Sequence, residues 1–249
     1  MKKRLKGFYL LLSSVFISLL HLPFAVANTV VGKPFTRFIV ASGLSTDSLA
    51  NEFSFKSVYD SLHLDVLGLS KRAFEYAQKG FQKLVSQDRI TNESVIAIAD
   101  FSQPSSHKRL YVIDIKNYKV LFNTLVAHGR NSGKELASFF SNAPYSKKSS
   151  PGFYITGETY MGNNGYSLKL IGVEQGINDK AYKRAIVVHG ADYVDESYVE
   201  EQGYIGRSQG CPAVPREYAE DIINSIKEGA CFFVYSPNQQ YISHSSLLH

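Results

Sequence analysis

The sequence predicts a mostly β domain with accessory helices, a β-sandwich or curved sheets, preceded by a helical segment. Three observations carry this. Apolar residues before about residue 92 recur at helical spacing, and from Ser94 onward short runs rich in β-branched and aromatic residues alternate with turn signals. The first 27 residues have the cationic, then apolar, then small-residue order of a cleavable leader. At 249 residues the chain is long enough to bury a full core.

Lys2, Lys3, Arg4 and Lys6 precede the apolar run "GFYLLLSSVFISLLHLPF", and Ala25-Val26-Ala27 supplies the small-x-small site that signal peptidase needs. We read residues 1–27 as a signal peptide cleaved after Ala27. The alternative is an uncleaved anchor, which His21 and Pro23 disfavour by breaking the far end of the run. Four of the 27 basic residues and none of the 22 acidic ones lie in this leader, so the rest of the chain is close to neutral. The basic pI therefore gives no reason to expect a nucleic acid partner. No later run is apolar and long enough for a stable membrane span after cleavage.

Residues 28–92 form the expected helical segment. In "GLSKRAFEYAQKGFQKLV", Ala73, Phe74, Ala77, Phe81, Leu84 and Val85 make one face behind a Ser70 N-cap, and a shorter helix is expected around Val58, Leu62 and Leu64–Leu69. Residues 93–236 hold the strands "VIAIADF", "RLYVIDI", "KVLFNTLVAH", "GFYITGETY", "YSLKLIGV", "AIVVHG" and "ACFFVYS". One helix interrupts them, with Pro215 at its first position, Tyr218, Ala219, Ile222, Ile223 and Ile226 on one face, and Gly229 as its stop. Residues 237–249 have little to pack and are expected to be loose.

The two cysteines differ in setting. Cys231 lies in a buried strand and Cys211 in the glycine-flanked "GRSQGCPAVP". Export makes a disulfide the default, yet we read two free thiols, one structural and one reactive. A reactive cysteine needs a base or cation and donors for an oxyanion. Gly210 allows a sharp turn, Pro212 offers no N–H, and the donors must come from Cys211, Gly210 and Gln209. The helix after Pro215 is a candidate for lowering the thiol pKa through its positive end. The same features fit a structural turn. Among the histidines, His128 in "VAHGRNSG" and His189 in "IVVHGADYV" each end an apolar strand before a glycine. We read His128 as a hydrogen-bonded strand end and His189, 22 residues before Cys211, as the candidate base.

These residues carry a resemblance. His-Gly, a loop and Ser-x-Gly-Cys resemble the signature of the L,D-transpeptidases, the YkuD-like fold. "KRLYVID", "HGRNSG", "SSPGFYITGETY", "GYSLKL", "RAIVVHGADYV" and "GRSQGCPAVP", with the lead-in "YDSL…GLSKRAFEYA", resemble the murein L,D-transpeptidase catalytic-domain branch over roughly residues 55–236. The resemblance implies an exported periplasmic or cell-envelope enzyme acting on peptidoglycan stem peptides without a cofactor. It implies Cys211 as nucleophile, His189 as base, the Gly190 carbonyl as the group orienting the imidazole, amides around Gly210 as oxyanion donors, and Ser208 as a brace. Better-known members carry a second histidine before the Gly-Cys pair, where Gln209 stands here; its N–H still serves as a donor and its amide as a substrate contact. Arg207 and Lys169 are candidate clamps for a substrate carboxylate, or else solvated surface cations, and Tyr154, Tyr160 and Tyr166 are cleft or packing residues.

The implied reaction is acyl transfer through a thioester, with an amine acceptor giving a crosslink and water giving a carboxypeptidase. The alternatives are another murein peptide hydrolase on the same fold and a non-catalytic murein-binding module. His189 and Asp192 alone make no metal ligand set, and no phosphate loop or dinucleotide fingerprint is present.

Overall fold

In a computed structural model of the chain, residues 58–249 are described, and they fall within one compact unit. The expected signal peptide at 1–27 and residues 28–57 of the expected helical segment lie outside the described residues. A helical turn at 58–61 and a series of turns to 68 stand where a second helix is expected, with Val58, Leu64 and Leu69 buried.

Helix α1 (Lys71–Ser86) starts where the Ser70 side chain accepts from the Ala73 N–H at 3.2 Å. Its buried face is Ala73, Phe74, Ala77, Gly80, Phe81 and Leu84, matching the spacing read from the sequence except that Val85 is only half-buried. Gly80 lets the helix settle onto the sheet, since a Cβ there would fall 2.0 Å from the Phe153 ring.

Eight strands follow: β1 (Asn92–Asp100), β2 (Leu110–Asp114), β3 (Lys119–Thr124), β4 (Gly152–Gly162), β5 (Gly165–Gly172), β6 (Val187–Ala191), β7 (Ala213–Pro215) and β8 (Ala230–Tyr235). They form one sheet in the order β3-β2-β1-β8-β4-β5-β6-β7, with β1–β8 and β6–β7 parallel and the other pairs antiparallel. Past β3 the chain bridges to the opposite edge at Ala127–Ala213 and Gly129–Ser208, so the sheet nearly closes on itself. The fold is thus mostly β, as expected.

Two cores result. On one face α1 packs against Ile96, Ile98, Phe153 and Phe233, whose last two rings stack at 4.1 Å. The other face encloses Ala97, Val112, Leu168, Leu170, Val188 and Phe232, capped by Ile222, Ile223 and Ile226 of helix α3 (Ala219–Ile226). Burying each isoleucine side chain contributes about 1.5–3 kcal/mol.

Three local expectations change. Pro215 ends β7 rather than opening a helix; a 3₁₀ turn, Arg216–Tyr218, precedes α3, and Tyr218 is exposed. The loop before Cys211 contains a short helix, α2 (Glu196–Gln202), capped by Asp195 and ended by Gly203 in the left-handed region. The tail is packed, not loose: α4 (Gln239–His244) starts on an Asn238 cap, and Tyr241, Leu247 and Leu248 enter the α1 core. Tail residues that look sparse in sequence find apolar partners only once α1 lies across the sheet.

Candidate active site

Strand β6 places His189 at 3 % exposure, on the sheet face opposite Val188 and its inner-core neighbours. Its register pairs are Ser167 on β5 and Ala213 on β7. The imidazole Nδ1 lies 3.0 Å from the carbonyl oxygen of Gly190. A carbonyl only accepts, so Nδ1 carries the proton and Nε2 keeps its lone pair. Among the described residues Nε2 has no hydrogen-bond partner. Burial, with the Arg216 guanidinium nearby, holds the imidazole below its usual range, only partly offset by Gly190. Arg216 itself is tied to Asp192.

Cys211 lies two residues before Ala213, the register partner of His189, and is half-buried. Its Sγ is 3.7 Å from the Ala185 carbonyl oxygen, and a backbone hydrogen bond from Val187, on β6 two residues before His189, also reaches it. Ala185 holds φ at +54°, a costly conformation for a residue with a Cβ. Burial pushes the thiol up, while the Val187 hydrogen bond and the Arg184 guanidinium draw it down. Cys231 is fully buried on β8 among the α1 core residues; both thiols are free.

Ser208 holds the loop. Its Oγ donates to the Cys211 carbonyl at 2.6 Å and accepts from the Gly210 N–H at 3.0 Å, while its backbone pairs with His128 and Arg130. This changes the donor set: the Gly210 N–H is engaged by Ser208, leaving those of Gln209 and Cys211 without an acceptor among the described hydrogen bonds. Gly210 has φ +126°, and a Cβ there would meet the Lys148 carbonyl oxygen at 2.8 Å. The Gln209 side chain is exposed and, with its amide oxygen turned to Arg130, accepts from Arg130 Nη2 at 2.7 Å.

Arg207 is engaged by backbone carbonyls. Its Nη1 donates to the carbonyls of Gly133 at 3.0 Å and Arg130 at 3.3 Å. Lys169 is paired with Glu158 at 2.6 Å, and the Tyr154 hydroxyl donates to the Ser150 carbonyl inside the core. The helix N-terminus proposed to act on the thiol belongs to α3, beyond three strand residues and the 3₁₀ turn.

His128 is wholly buried, its Nδ1 accepting from Arg109 Nη2 at 2.8 Å and its Nε2 donating to the Gly133 carbonyl at 3.3 Å. Burial and the Arg109 charge hold it down at about 3. This is a strut under the Cys211 loop, since its carbonyl accepts from the Ser208 N–H.

Sequence reasoning passed over Arg184, Ala185 and Tyr193. Their one signal was adjacency: "RA" and "ADY" flank the strand that carries His189. A cleft of about 540 Å³, lined by Lys108, Phe122, Val194, Pro215 and Tyr218 among others, opens between β3 and β7, and neither Cys211 nor His189 lines it. Among the described residues no cluster of three or more histidine, cysteine, aspartate or glutamate side chains is placed to hold a metal ion. Nor is any helix there long and apolar enough to cross a membrane.

A family model described as the L,D-transpeptidase catalytic domain matches residues 66–235. No curated protein matches. Among solved structures, an L,D-transpeptidase from Mycobacterium smegmatis is 14% identical over 57% of this chain and 59% of its own, with a TM-score of 0.36. L,D-transpeptidase 3 from Mycobacterium tuberculosis is 15% identical over 57% and 61%, TM-score 0.36. An L,D-transpeptidase from Stackebrandtia nassauensis is 15% identical over 69% and 70%, TM-score 0.35. The match thus takes in about 60% of the length of the first two structures.

Proposed function

Because the chain belongs to the L,D-transpeptidase catalytic-domain family, we propose that it is an exported, cysteine-dependent transpeptidase of the periplasm or cell envelope, acting on peptidoglycan stem peptides. The observation that carries this reading is the His189 imidazole: oriented by the Gly190 carbonyl and with Nε2 open, it stands one residue pair along β6 from the backbone that holds the Cys211 thiol. A base with its tautomer fixed and a free thiol two residues from its register partner are the groups that nucleophilic acyl transfer needs.

In the proposed reaction Cys211 Sγ, its proton passed to His189 Nε2, attacks the carbonyl between the L-centre of a diamino acid and the terminal D-alanine of a stem tetrapeptide. The Gln209 and Cys211 N–H groups are the donors available to the oxyanion. The C–N bond breaks, His189 returns the proton to the leaving D-alanine amine, and a thioester remains. A side-chain amine of a neighbouring stem then attacks the thioester, frees the thiol and completes a crosslink. Ser208 braces the loop, and Gln209 faces incoming substrate.

The test is acylation followed by product analysis. A carbapenem, a strained acyl donor, should add one mass equivalent to the protein and none to Cys211→Ala. Tetrapeptide muropeptides should then yield D-alanine and dimers, whereas tripeptides without dimers would assign the hydrolase. A folded, reduced protein that takes no adduct and turns over no muropeptide would overturn the proposal.

A further inference from the structure

Arg184 is a cation against the Cys211 loop that has no carboxylate partner among the described residues. Its Nη1 donates to the Ser141 carbonyl at 2.9 Å and to Ser150 Oγ at 2.7 Å, and its Nη2 to the Lys148 carbonyl at 2.6 Å and Ser146 Oγ at 3.2 Å. All four acceptors are neutral, and among the described residues no carboxylate lies within 4.0 Å of it. A half-buried guanidinium satisfied only by neutral oxygens still bears the cost of leaving water, and a nearby anion offsets that cost.

A thiolate at Cys211 is the candidate, since its charge and that of Arg184 act on each other. A Cβ on Gly210 would lie 2.8 Å from the Lys148 carbonyl oxygen and 3.3 Å from Arg184 Nη2, so the residue before Cys211 packs directly on the guanidinium and on the carbonyl it holds. We propose that Arg184 is the positioning residue of the nucleophile loop, clamping the 141–150 segment against Gly210 and serving as counter-ion to a Cys211 thiolate. The proposal rests on the reading of Cys211 as nucleophile.

The other groups facing the thiol are poorer sources of that charge. His189, from β6, is held toward its neutral form by burial and by Arg216. Tyr193, from the loop after β6, is pushed up to about 12 by burial and by the Cys211 charge, so it stays a neutral phenol. Arg130 is exposed and within reach of the Gln209 amide, and the Lys148 ammonium lies over the Phe139 ring at 5.6 Å. Arg184 acts on Cys211 against the upward push of burial.

The rate of Cys211 alkylation by iodoacetamide, followed by mass spectrometry from pH 5 to 10, reads the thiol midpoint directly. Arg184→Gln should raise the midpoint by about one pH unit or more, the usual effect of losing a close opposite charge, and slow alkylation at neutral pH about tenfold. Arg184→Lys, which keeps the charge, should restore most of the midpoint. His189→Gln should leave the midpoint within a few tenths of a unit while abolishing turnover. A folded Arg184→Gln protein with the wild-type midpoint overturns the proposal. If that variant does not fold, the His189 arm decides: a midpoint raised by a unit or more makes His189 the counter-ion, and an unmoved one supports Arg184. Failure of the wild type to turn over muropeptides would sink the transpeptidase reading but leave the alkylation result standing.

Discussion

Ser208→Ala removes one oxygen that serves two backbone groups of the nucleophile loop. The hydroxyl donates to the Cys211 carbonyl at 2.6 Å and accepts from the Gly210 N–H at 3.0 Å, and Ser208 is 4 % exposed. Alanine leaves both groups without a protein partner. The cost of unpaired buried polar groups is about 1–3 kcal/mol, toward the low end where water reaches the half-buried Cys211. For a domain of this size that converts to a fall in melting temperature of about 2–12 °C. Acylation should suffer more than stability, because the loop then loses the tie that fixes the turn at Gly210, and a displacement of about 1 Å at a reacting atom costs up to about 100-fold in rate. Thermal unfolding and stopped-flow carbapenem acylation measure the two effects, with Ser208→Thr, which keeps the hydroxyl, as the control. An alanine variant that melts and acylates like the wild type would refute the assignment of Ser208 as the brace.

Other consequences follow from the same geometry. Gly129→Ala should destabilise by about 1–3 kcal/mol, because the new Cβ meets three backbone atoms, the Lys147 oxygen at 2.5 Å, the Ser149 nitrogen at 2.9 Å and the Gly210 Cα at 3.0 Å. Gly157→Ala, with no contact closer than 3.4 Å, should melt at or above the wild-type temperature, and equal losses in both would defeat the steric argument. His189→Ala should abolish acylation in a folded protein; His128→Ala should lower the melting temperature yet leave its folded fraction able to acylate, and the reverse pattern would exchange their roles. His128 also predicts acid sensitivity. Its folded value of about 3 lies below the unfolded 6.5, so its contribution is complete above about pH 6.5 and is lost as pH falls toward 3, at roughly 1.4 kcal/mol per pH unit. Urea denaturation should therefore show about 2 kcal/mol less stability at pH 5 than at pH 7 from this group, a slope absent in His128→Gln; equal slopes in the two proteins would contradict it. Finally, native protein should take one iodoacetamide equivalent, at Cys211, and Cys231 should react only after unfolding.

The chain's local order was legible wherever local chemistry decides it. Helix α1 follows from the 3.6-residue spacing of Ala73 to Leu84 and from the Ser70 cap; seven strands follow from β-branched runs between turns. The Ser-Gln-Gly-Cys loop and the His-Gly strand end singled out Cys211 and His189 because a glycine beside a polar side chain at a strand end is visible without knowing the fold. Strand β7 was not visible: Ala213–Pro215 is three residues long and exists as a strand because β6 lies parallel to it and Ala127 bridges its other side. The packing of the tail depended likewise on α1 and Glu174, which accepts from Tyr241 and Ser245 across about 70 residues of sequence.

Sequence by itself determined which groups are available: the thiol, the imidazole, the glycines that let backbone approach backbone, and the apolar periods that make a sheet with a helix on it. Tertiary structure alone decided how those groups are used. It turned the Gly210 N–H to Ser208, Arg207 to two carbonyls and His128 to Arg109, and it brought Arg184 against the Cys211 loop from 27 residues away. The physical reason is that propensity and periodicity are short-range, whereas hydrogen-bond partners, desolvation and charge proximity depend on which distant segments the closed sheet makes neighbours.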